Sequence, residues 1–484
     1  MKLKFRLLIL LLSVCLALTS LVACNVSEDD EDEGAGESET ELILDIERNN
    51  YDKNFYLWIM DDTNRPHYHW VEESDNDVLS EAIYVRQQRV YDYLGVEIVG
   101  TVRDESYLTY MEPFKIAVKN KDGSVDTMLS HVFSGVSSLV SESYLADVSS
   151  LTGVNVDADY WNREFMEDLS IGGKYYLGFS DFNILYTHVI TFNKTMMDQY
   201  ADSLEKDVYD MVRDYEWTID RMISLANMVY VDRTSDGKSA DDTFGITGRH
   251  MNEFPGFLHA CNIKIVEMDE SGKYTVALMN DKYAAKTSGL VDKLLELSAA
   301  DCSYFDYNTT TGLTVPMTSG RTLLHITPTL DIVNYLQYDL SFGVLPYPMW
   351  DTAQKDVGYR HLQWGGYITV PNYLDDEQKT GETLELLAYY SEDVKTAYYE
   401  KMLGKQVADV PDDSEMFAIV WDTVCTEFAQ TYCDSIGGSD ILYLMAKVTD
   451  PTSGKNLSSM VGGLTRTVNN AISRFVTKVE NKKN

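Results

Sequence analysis

Between Lys53 and Val102 the sequence runs strand, helix, strand, and that order leaves little choice of pairing. KNFYLWIM (53–60) is a continuous apolar run of strand length. Ser80 to Leu94 puts Ile83, Val90 and Leu94 on one helical face, and Gly95 supplies a stop. Val96 to Val102 is apolar again. Two strands joined through a helix pair in parallel, by a right-handed crossover. A parallel sheet needs helices on both faces, so the expected class is α/β.

The same alternation continues. Leu139 to Leu151 reads as a helix leading into a strand. Gly172 to Lys194 reads as two strands separated by Gly178–Asn183. Trp217 to Val229 is amphipathic, with Ile219, Met222, Ile223 and Ala226 at helical spacing and Thr218 as cap. Leu290, Leu294 and Leu297 mark another helix. Arg321 to Ile326, Phe342 to Leu345 and Gly365 to Val370 read as strands, the last stopped by Pro371. Beyond it the spacing predicts helices over Thr383–Leu403, Ser414–Tyr432 and Ser459–Val479.

The N-terminus has its own logic. Lys2, Lys4 and Arg6 precede an apolar run from Leu7 to Ala23, the layout of a secretory signal. A membrane-spanning helix would need about 20 apolar residues and flanking anchors. Leu21-Val22-Ala23-Cys24 resembles the lipobox of bacterial lipoproteins. That resemblance implies a diacylglycerol on Cys24, which becomes the first residue of the mature chain. The unbroken acidic block Glu28–Glu33 then repels itself, and residues 24–41 read as a solvated tether.

Removal of residues 1–23 from the 484 leaves 461, enough for two or three domains. A net charge of −37 argues against nucleic acid and against an anionic membrane surface. Of the cysteines left, Cys261, Cys302, Cys425 and Cys433, none forms a CxxC zinc pair. Cys425 and Cys433 are about 12 Å apart along a helix axis, too far to bridge. Buried thiols are the first reading, and a Cys261–Cys302 disulfide the second. No cofactor is implied. There is no GxSxG, HExxH or P-loop. Asp232, Thr234, Asp236 and Gly237 follow a calcium-loop spacing, but the twelfth position is Thr243 where a bidentate Glu is needed, so the loop reads as ordinary. His67 and His69 lack a third ligand and read as a solvated loop. Arg249 and Arg360 read as surface groups, with a cleft role as the alternative.

Four segments taken in order resemble the extracellular solute-binding proteins of ABC importers, in the maltose-binding-like class. They are GGKYYLGF…LYTHVITFNK (172–194), WTIDRMISLANMVYVDRTSDGKSADDTFGITG (217–248), SGRTLLHITPT…FGVLPYP (319–348) and GGYITVPNYLDDEQKTGETLELLAYYS (365–391). The resemblance implies a periplasmic-binding-protein-like fold of two α/β lobes, with a hinge and an interlobe cleft. It maps lobe one to 42–179 plus 316–368 and lobe two to 184–314 plus 371–484. The hinges fall near Gly178–Asn183, Leu313–Pro316 and Thr369–Pro371. Residues 404–484 fit the pattern only loosely.

Ligands of open α/β sheets sit beyond the carboxyl ends of strands. That rule selects Asp61, Asp62 and Asn64 after the first strand, and Ser130 and His131 after Val125–Leu129. It adds Asp181, Asn183 and Tyr186 at the first crossing, Thr327 and Thr329 after Arg321–Ile326, and Trp364 and Gly365 before the last crossing. Carboxylates and amides bond sugar hydroxyls, and aromatic faces cover sugar C–H faces. The expected function is therefore capture of a carbohydrate and delivery to an ABC permease. The expected binder is a monomer, not an enzyme, held to the outer face of the membrane by lipid on Cys24. The alternatives are a surface glycan-binding lipoprotein without a transporter and a secreted glycoside hydrolase.

Overall fold

The computed structural model describes residues 44–60, 65–132, 134–307 and 316–482. Its two compact units are residues 1–47 and 48–484. In the first, the described residues 44–47 begin with a turn in which Leu44 and Asp45 hold positive φ, 55° and 62°. Cys24 and the acidic tether lie outside the described residues, as do Asp61, Asp62 and Asn64.

The second unit is mixed α/β. In chain order its elements used below are β1 (Lys53–Met60), α1 (Val78–Leu94), β2 (Val96–Arg103), β3 (Thr127–Leu129), β4 (His188–Asn193), α2 (Ile219–Ala226), β5 (Tyr230–Val231), β6 (Thr243–Arg249), α3 (Ala284–Ala299), β7 (Ser303–Asp306), β8 (Thr322–Pro328), β9 (Phe342–Leu345), β10 (Ile368–Thr369), α4 (Glu377–Tyr389), α5 (Glu392–Leu403), α6 (Pro411–Asp422) and α7 (Leu457–Glu480).

The first sheet has the order β10-β3-β1-β2. β1 and β2 pair in parallel from Lys53↔Val96 to Met60↔Arg103, as the strand–helix–strand order requires. The helix between them is set at both ends. Asp77 accepts the N–H groups of Leu79 and Ser80, and Gly95 ends the helix at φ 63° while donating to the Tyr91 carbonyl. Phe55, Leu57, Ile59 and Met60 of β1 are fully buried. Each contributes about 1.5–3 kcal/mol of apolar burial.

The second sheet has the order β9-β4-β8-β6-β5, with β7 also on β6. β4 runs antiparallel to β8 and β9, while β6 is parallel to both β7 and β8.

Each sheet carries a buried acid that pins a later helix to it. Below the first sheet Asp126 accepts the Tyr56 N–H at 2.8 Å, the Thr380 hydroxyl at 3.1 Å and the Lys379 ammonium at 3.0 Å, which fixes α4. Against the second sheet Asp413 accepts the Val344 N–H at 3.0 Å, the Tyr209 hydroxyl at 2.5 Å and Lys194 at 2.7 Å, which fixes α6.

Strand pairing corrects the lobe boundaries read from sequence. Residues 316–368 do not join the first sheet as a block. β8 and β9 pair within the second sheet, and only β10 belongs to the first. β7 and β8 both lie on β6, and Leu313–Val315 of the hinge expected at Leu313–Pro316 lie outside the described residues. The physical reason is that β4 offers two free edges, and β8 and β9 take one each. Conversely α4 and α5 pack against α1, on the first sheet's side.

Smaller differences are of the same kind. Gly365–Val370 contains strand only at Ile368–Thr369, and Thr383–Leu403 is two helices. The helix expected over Ser414–Tyr432 ends at Asp422, because Val424–Cys425 pairs in parallel with His361–Leu362. Cys425 is thus extended, and the helical distance argued for it does not apply. All four cysteines are buried, and no disulfide joins them. His69 is not a solvated group: it is buried and accepts the Ile184 N–H at 3.1 Å. Arg360 is not a surface group either, being mostly buried and paired with Glu164 at 2.9 Å. The carboxylate of Asp232 accepts the Ser235 and Gly237 N–H groups, as in an ordinary turn.

Candidate functional site

The chain passes from the first sheet to the second through residues 178–187, with Gly178 bridged to Ile368 of β10 and β4 beginning at His188. The return passage runs beside it, from Leu362 to β10. Five of the residues selected from the sequence, Asp181, Asn183, Tyr186, Trp364 and Gly365, lie in these two passages. Asn183 accepts the Ser180 N–H and donates to the Gly366 carbonyl at 3.0 Å. Tyr186 donates its N–H to Gln363 and accepts the Trp364 N–H at 2.6 Å. A Cβ at Gly365 would lie 2.5 Å from the Gln363 side-chain nitrogen, which donates to the Ile184 carbonyl at 2.9 Å. The Thr329 hydroxyl accepts the Thr187 N–H at 3.3 Å and donates to the Leu185 carbonyl at 3.1 Å. Thr327 lies opposite Val189 in the sheet and is buried. Trp364 meets the His188 ring edge-on at 5.3 Å.

Ser130 and His131 lie elsewhere, after β3. Ser130 donates its N–H to the Tyr367 carbonyl at 3.0 Å, and His131 is buried in a stack with Tyr107 at 5.5 Å. These contacts of Ser130 and His131 lie within the frame of the first sheet.

Asp181 is different. It borders a hollow of about 620 Å³ beside the first passage. Three parts of the fold meet there. The passage supplies Asp181. The junction of α4 and α5 supplies Tyr389, Glu392 and Lys395. The end of α6, pinned to the second sheet through Asp413, supplies Trp421 and Asp422. The loop before Arg163 adds Tyr160 and Trp161, with Trp161 bridged to Ser180.

The walls are held by hydrogen bonds. Trp421 donates its indole N–H to Asp181 at 3.1 Å, and its ring packs edge-on against Tyr398 and Tyr399. Trp161 donates to Glu385 at 2.8 Å, and the Tyr160 hydroxyl bonds the same carboxylate. Burial pushes the Glu385 carboxyl above its ordinary range, against these donors. Lys395 sits 3.3 Å from Asp181, 3.8 Å from Asp422 and 4.0 Å from Glu392, and 5.4 Å from the Trp421 ring centre. Burial raises the Asp181 carboxyl, while Lys395 and the Trp421 N–H pull it back.

The arrangement offers aromatic surface, hydrogen-bonding carboxylates and one ammonium, the groups that hold a polyhydroxylated ring. No group of histidine, cysteine and acidic side chains suited to a metal ion occurs among the described residues. Sequence reading found Asp181 and missed its neighbours. Trp421 was hidden inside an apparent helix, and its exposure to the hollow depends on that helix ending at Asp422. Tyr389, Glu392 and Lys395 depend on a break between α4 and α5 that the sequence marks only by Ser391.

Arg249 closes the second sheet at the carboxyl end of β6, near Tyr186 and His188. It pairs with Glu253 and Asp331, each at 3.4 Å.

Comparison with known proteins places the fold. No family model matches the chain, and no curated protein matches it. Solved structures do. The cyclic alpha-maltosyl-1,6-maltose binding protein of Arthrobacter globiformis aligns at a TM-score of 0.54 with 10% identity, over 87% of this chain and 99% of that one. The galacto-N-biose/lacto-N-biose I-binding protein of the ABC transporter from Bifidobacterium longum aligns at 0.53 with 11% identity, over 87% and 97%. A cyclo/maltodextrin-binding protein complexed with maltotetraose aligns at 0.52 with 13% identity, over 89% and 96%. The chain has the two-lobe α/β fold of solute-binding proteins. No described helix is long and apolar enough to cross a membrane.

Proposed function

We propose that this chain captures a carbohydrate outside the cytoplasm and presents it to an ABC permease. One observation carries the reading. A hollow of about 620 Å³ is walled jointly by helices of the first sheet, by the crossing and by the end of α6 from the second sheet, with Tyr389, Trp421 and Asp181 at its surface. A ligand there touches both halves of the fold, so its binding energy favours one relative position of the two. Two of the similar folds named above are complexed with maltotetraose and with lacto-N-biose, which supports the same ligand class here.

The lobes are proposed as residues 48–178 with 368–403, and 188–362, joined through the two passages. The chain acts as a monomer, anchored by lipid on Cys24. It is a binder and not a glycosidase. The Asp181 carboxylate is engaged by Trp421 on one oxygen and Lys395 on the other, which leaves it poorly placed to pass a proton to a glycosidic oxygen.

A ligand bound only by the native state raises stability by RT ln(1 + [L]/Kd). A thermal-shift panel of neutral, amino and acidic oligosaccharides is expected to give a positive shift. Tyr389→Ala, at a 42%-exposed side chain, is expected to weaken that binding by about tenfold with the free protein's melting temperature nearly unchanged. Shifts that survive Tyr389→Ala at full strength would place the ligand elsewhere.

A further inference from the structure

The charge around the hollow is not balanced. Asp181, Glu392 and Asp422 converge on one ammonium, that of Lys395, at 3.3, 4.0 and 3.8 Å. Arg163, the other cation at the rim, is held by Asp157 and Glu167. Asp159 adds a further exposed acid on the same rim. The three acids on Lys395 exceed it by two negative charges, and Asp159 adds a third.

The distribution of that excess matters. Asp181 is the inner acid and is already committed to Trp421 and Lys395. Glu392 and Asp422 are the outer ones, with side chains 80% and 70% exposed, and Lys395 reaches each only at the limit of an ion pair. They are free to take a second cation. Tyr389, the last residue of α4, lies edge-on to Tyr160 at 5.9 Å and against Tyr390 at 5.1 Å, and it is 42% exposed on the same rim as Glu392. A carboxylate brought to the same place meets Glu392 and Asp422 at like charge, with Lys395 already shared three ways.

Building on the carbohydrate reading of this hollow, we propose that it selects saccharides bearing an ammonium group over neutral ones, and rejects carboxylated ones. Glu392 and Asp422 receive the ammonium, and Tyr389 with Trp421 supplies the aromatic walls for the ring. The outer acids are solvated, so the preference is moderate, on the order of three- to tenfold in Kd at low salt, and it shrinks as salt is added.

The test uses the full chain at mildly acid pH, where a sugar amine is protonated. Matched short oligomers of glucose, glucosamine and glucuronate, in both α-1,4 and β-1,4 series, are titrated at low and at high salt. The expected order is glucosamine oligomer tightest, glucose oligomer next and glucuronate oligomer without measurable binding. Glu392→Gln and Asp422→Asn, both at exposed positions that the fold tolerates, are expected to bring the glucosamine-to-glucose ratio close to one. Equal binding of glucose and glucosamine oligomers, or tighter binding of the glucuronate oligomer, overturns this inference and leaves the carbohydrate reading standing. A preference that persists in both variants also overturns it. Failure of every oligomer to bind overturns the carbohydrate reading itself.

Discussion

At the scale of single residues, the decisive side chains are charged groups kept from water and given complete sets of partners. Asp126 is the clearest. It is 5% exposed and joins β1, through the Tyr56 N–H, to α4, through Lys379 and Thr380. Lys379 has its remaining reach filled by the Asn54 carbonyl at 2.7 Å. Removing the acid strands a buried ammonium, and breaking a buried pair from one side costs about 3–5 kcal/mol. Asp126→Ala is therefore expected to lower the unfolding free energy by about that amount. The double variant Asp126→Ala with Lys379→Met, which removes both charges, is expected to recover a large part of it. Denaturant melts of the two check this. A single variant losing less than about 1 kcal/mol would mean that Lys379 reaches solvent when unpaired.

At the scale of elements, the sequence was informative where one segment decides its own fate. The end of α1 follows from Gly95 and the β1–β2 pairing from the helix between them, while the start of α1, set by Asp77, comes two residues before the Ser80 that the spacing gives. The position of β8 and β9 was not legible in this way. Their strand character is local, but their place beside β4 is a competition between sheet edges separated by more than a hundred residues. The site suffered from the same limit. Asp181 lies on a recognisable turn, while Tyr389, Lys395 and Trp421 reach the hollow only because two helices stop where packing makes them stop.

The short helix Phe428–Thr431 shows how such a stop is held. Its cap, Glu427, is fully buried and accepts the N–H groups of Ala429, Ile265 and Val266, which ties residues 424–431 to the hairpin of Val266–Met268 and Tyr274–Val276. Burial lifts its carboxyl from 4.5 to about 7, with the three N–H donors and Lys264 opposing. A raised carboxyl contributes stability that is complete below the unfolded value and is lost as pH climbs through the folded one. The loss between 4.5 and about 7 is on the order of 3 kcal/mol. Glu427→Gln is expected to be less stable than the native chain near the acid end of that window, with the gap narrowing towards its upper end. Urea melts at several pH values measure the gap. A gap constant in pH would mean that Glu427 stays ionised throughout.

At the scale of the whole molecule, histidines dominate the response to acid. Five of the eight are buried with depressed basicity. His188, His259, His325 and His361 are held at about 3 and His250 at about 4, against an ordinary value of 6.5. Burial is the first cause in each, aided at His188 and His325 by Arg249 and at His259 by Arg360 and Lys264. His259 lies 3.7 Å from Glu427, yet burial drives both groups towards their neutral forms, so between pH of about 3 and about 7 the contact is between neutral partners. The neutral rings are used in the second sheet and in the two-stranded pair beside the crossing. His361 accepts the Tyr347 N–H at 3.0 Å, and His325 bonds Thr247 at 2.7 Å. A neutral ring in the fold that would be charged outside it gives stability that is complete above 6.5 and is lost as pH falls towards the folded value. Each such ring adds a slope of about 1.4 kcal/mol per pH unit. Five rings acting together outweigh the opposite contribution of Glu427 in the range where both titrate. The melting temperature is therefore expected to fall steeply as pH drops below about 6, with net uptake of protons on unfolding. A melting temperature that holds level down to pH of about 4.5 would show that these rings are ionised or solvated in the native chain. The same argument limits where the molecule can work as a binder: α6, which carries Trp421, is pinned to the second sheet, and that sheet loses stability once His188 and His325 take up protons.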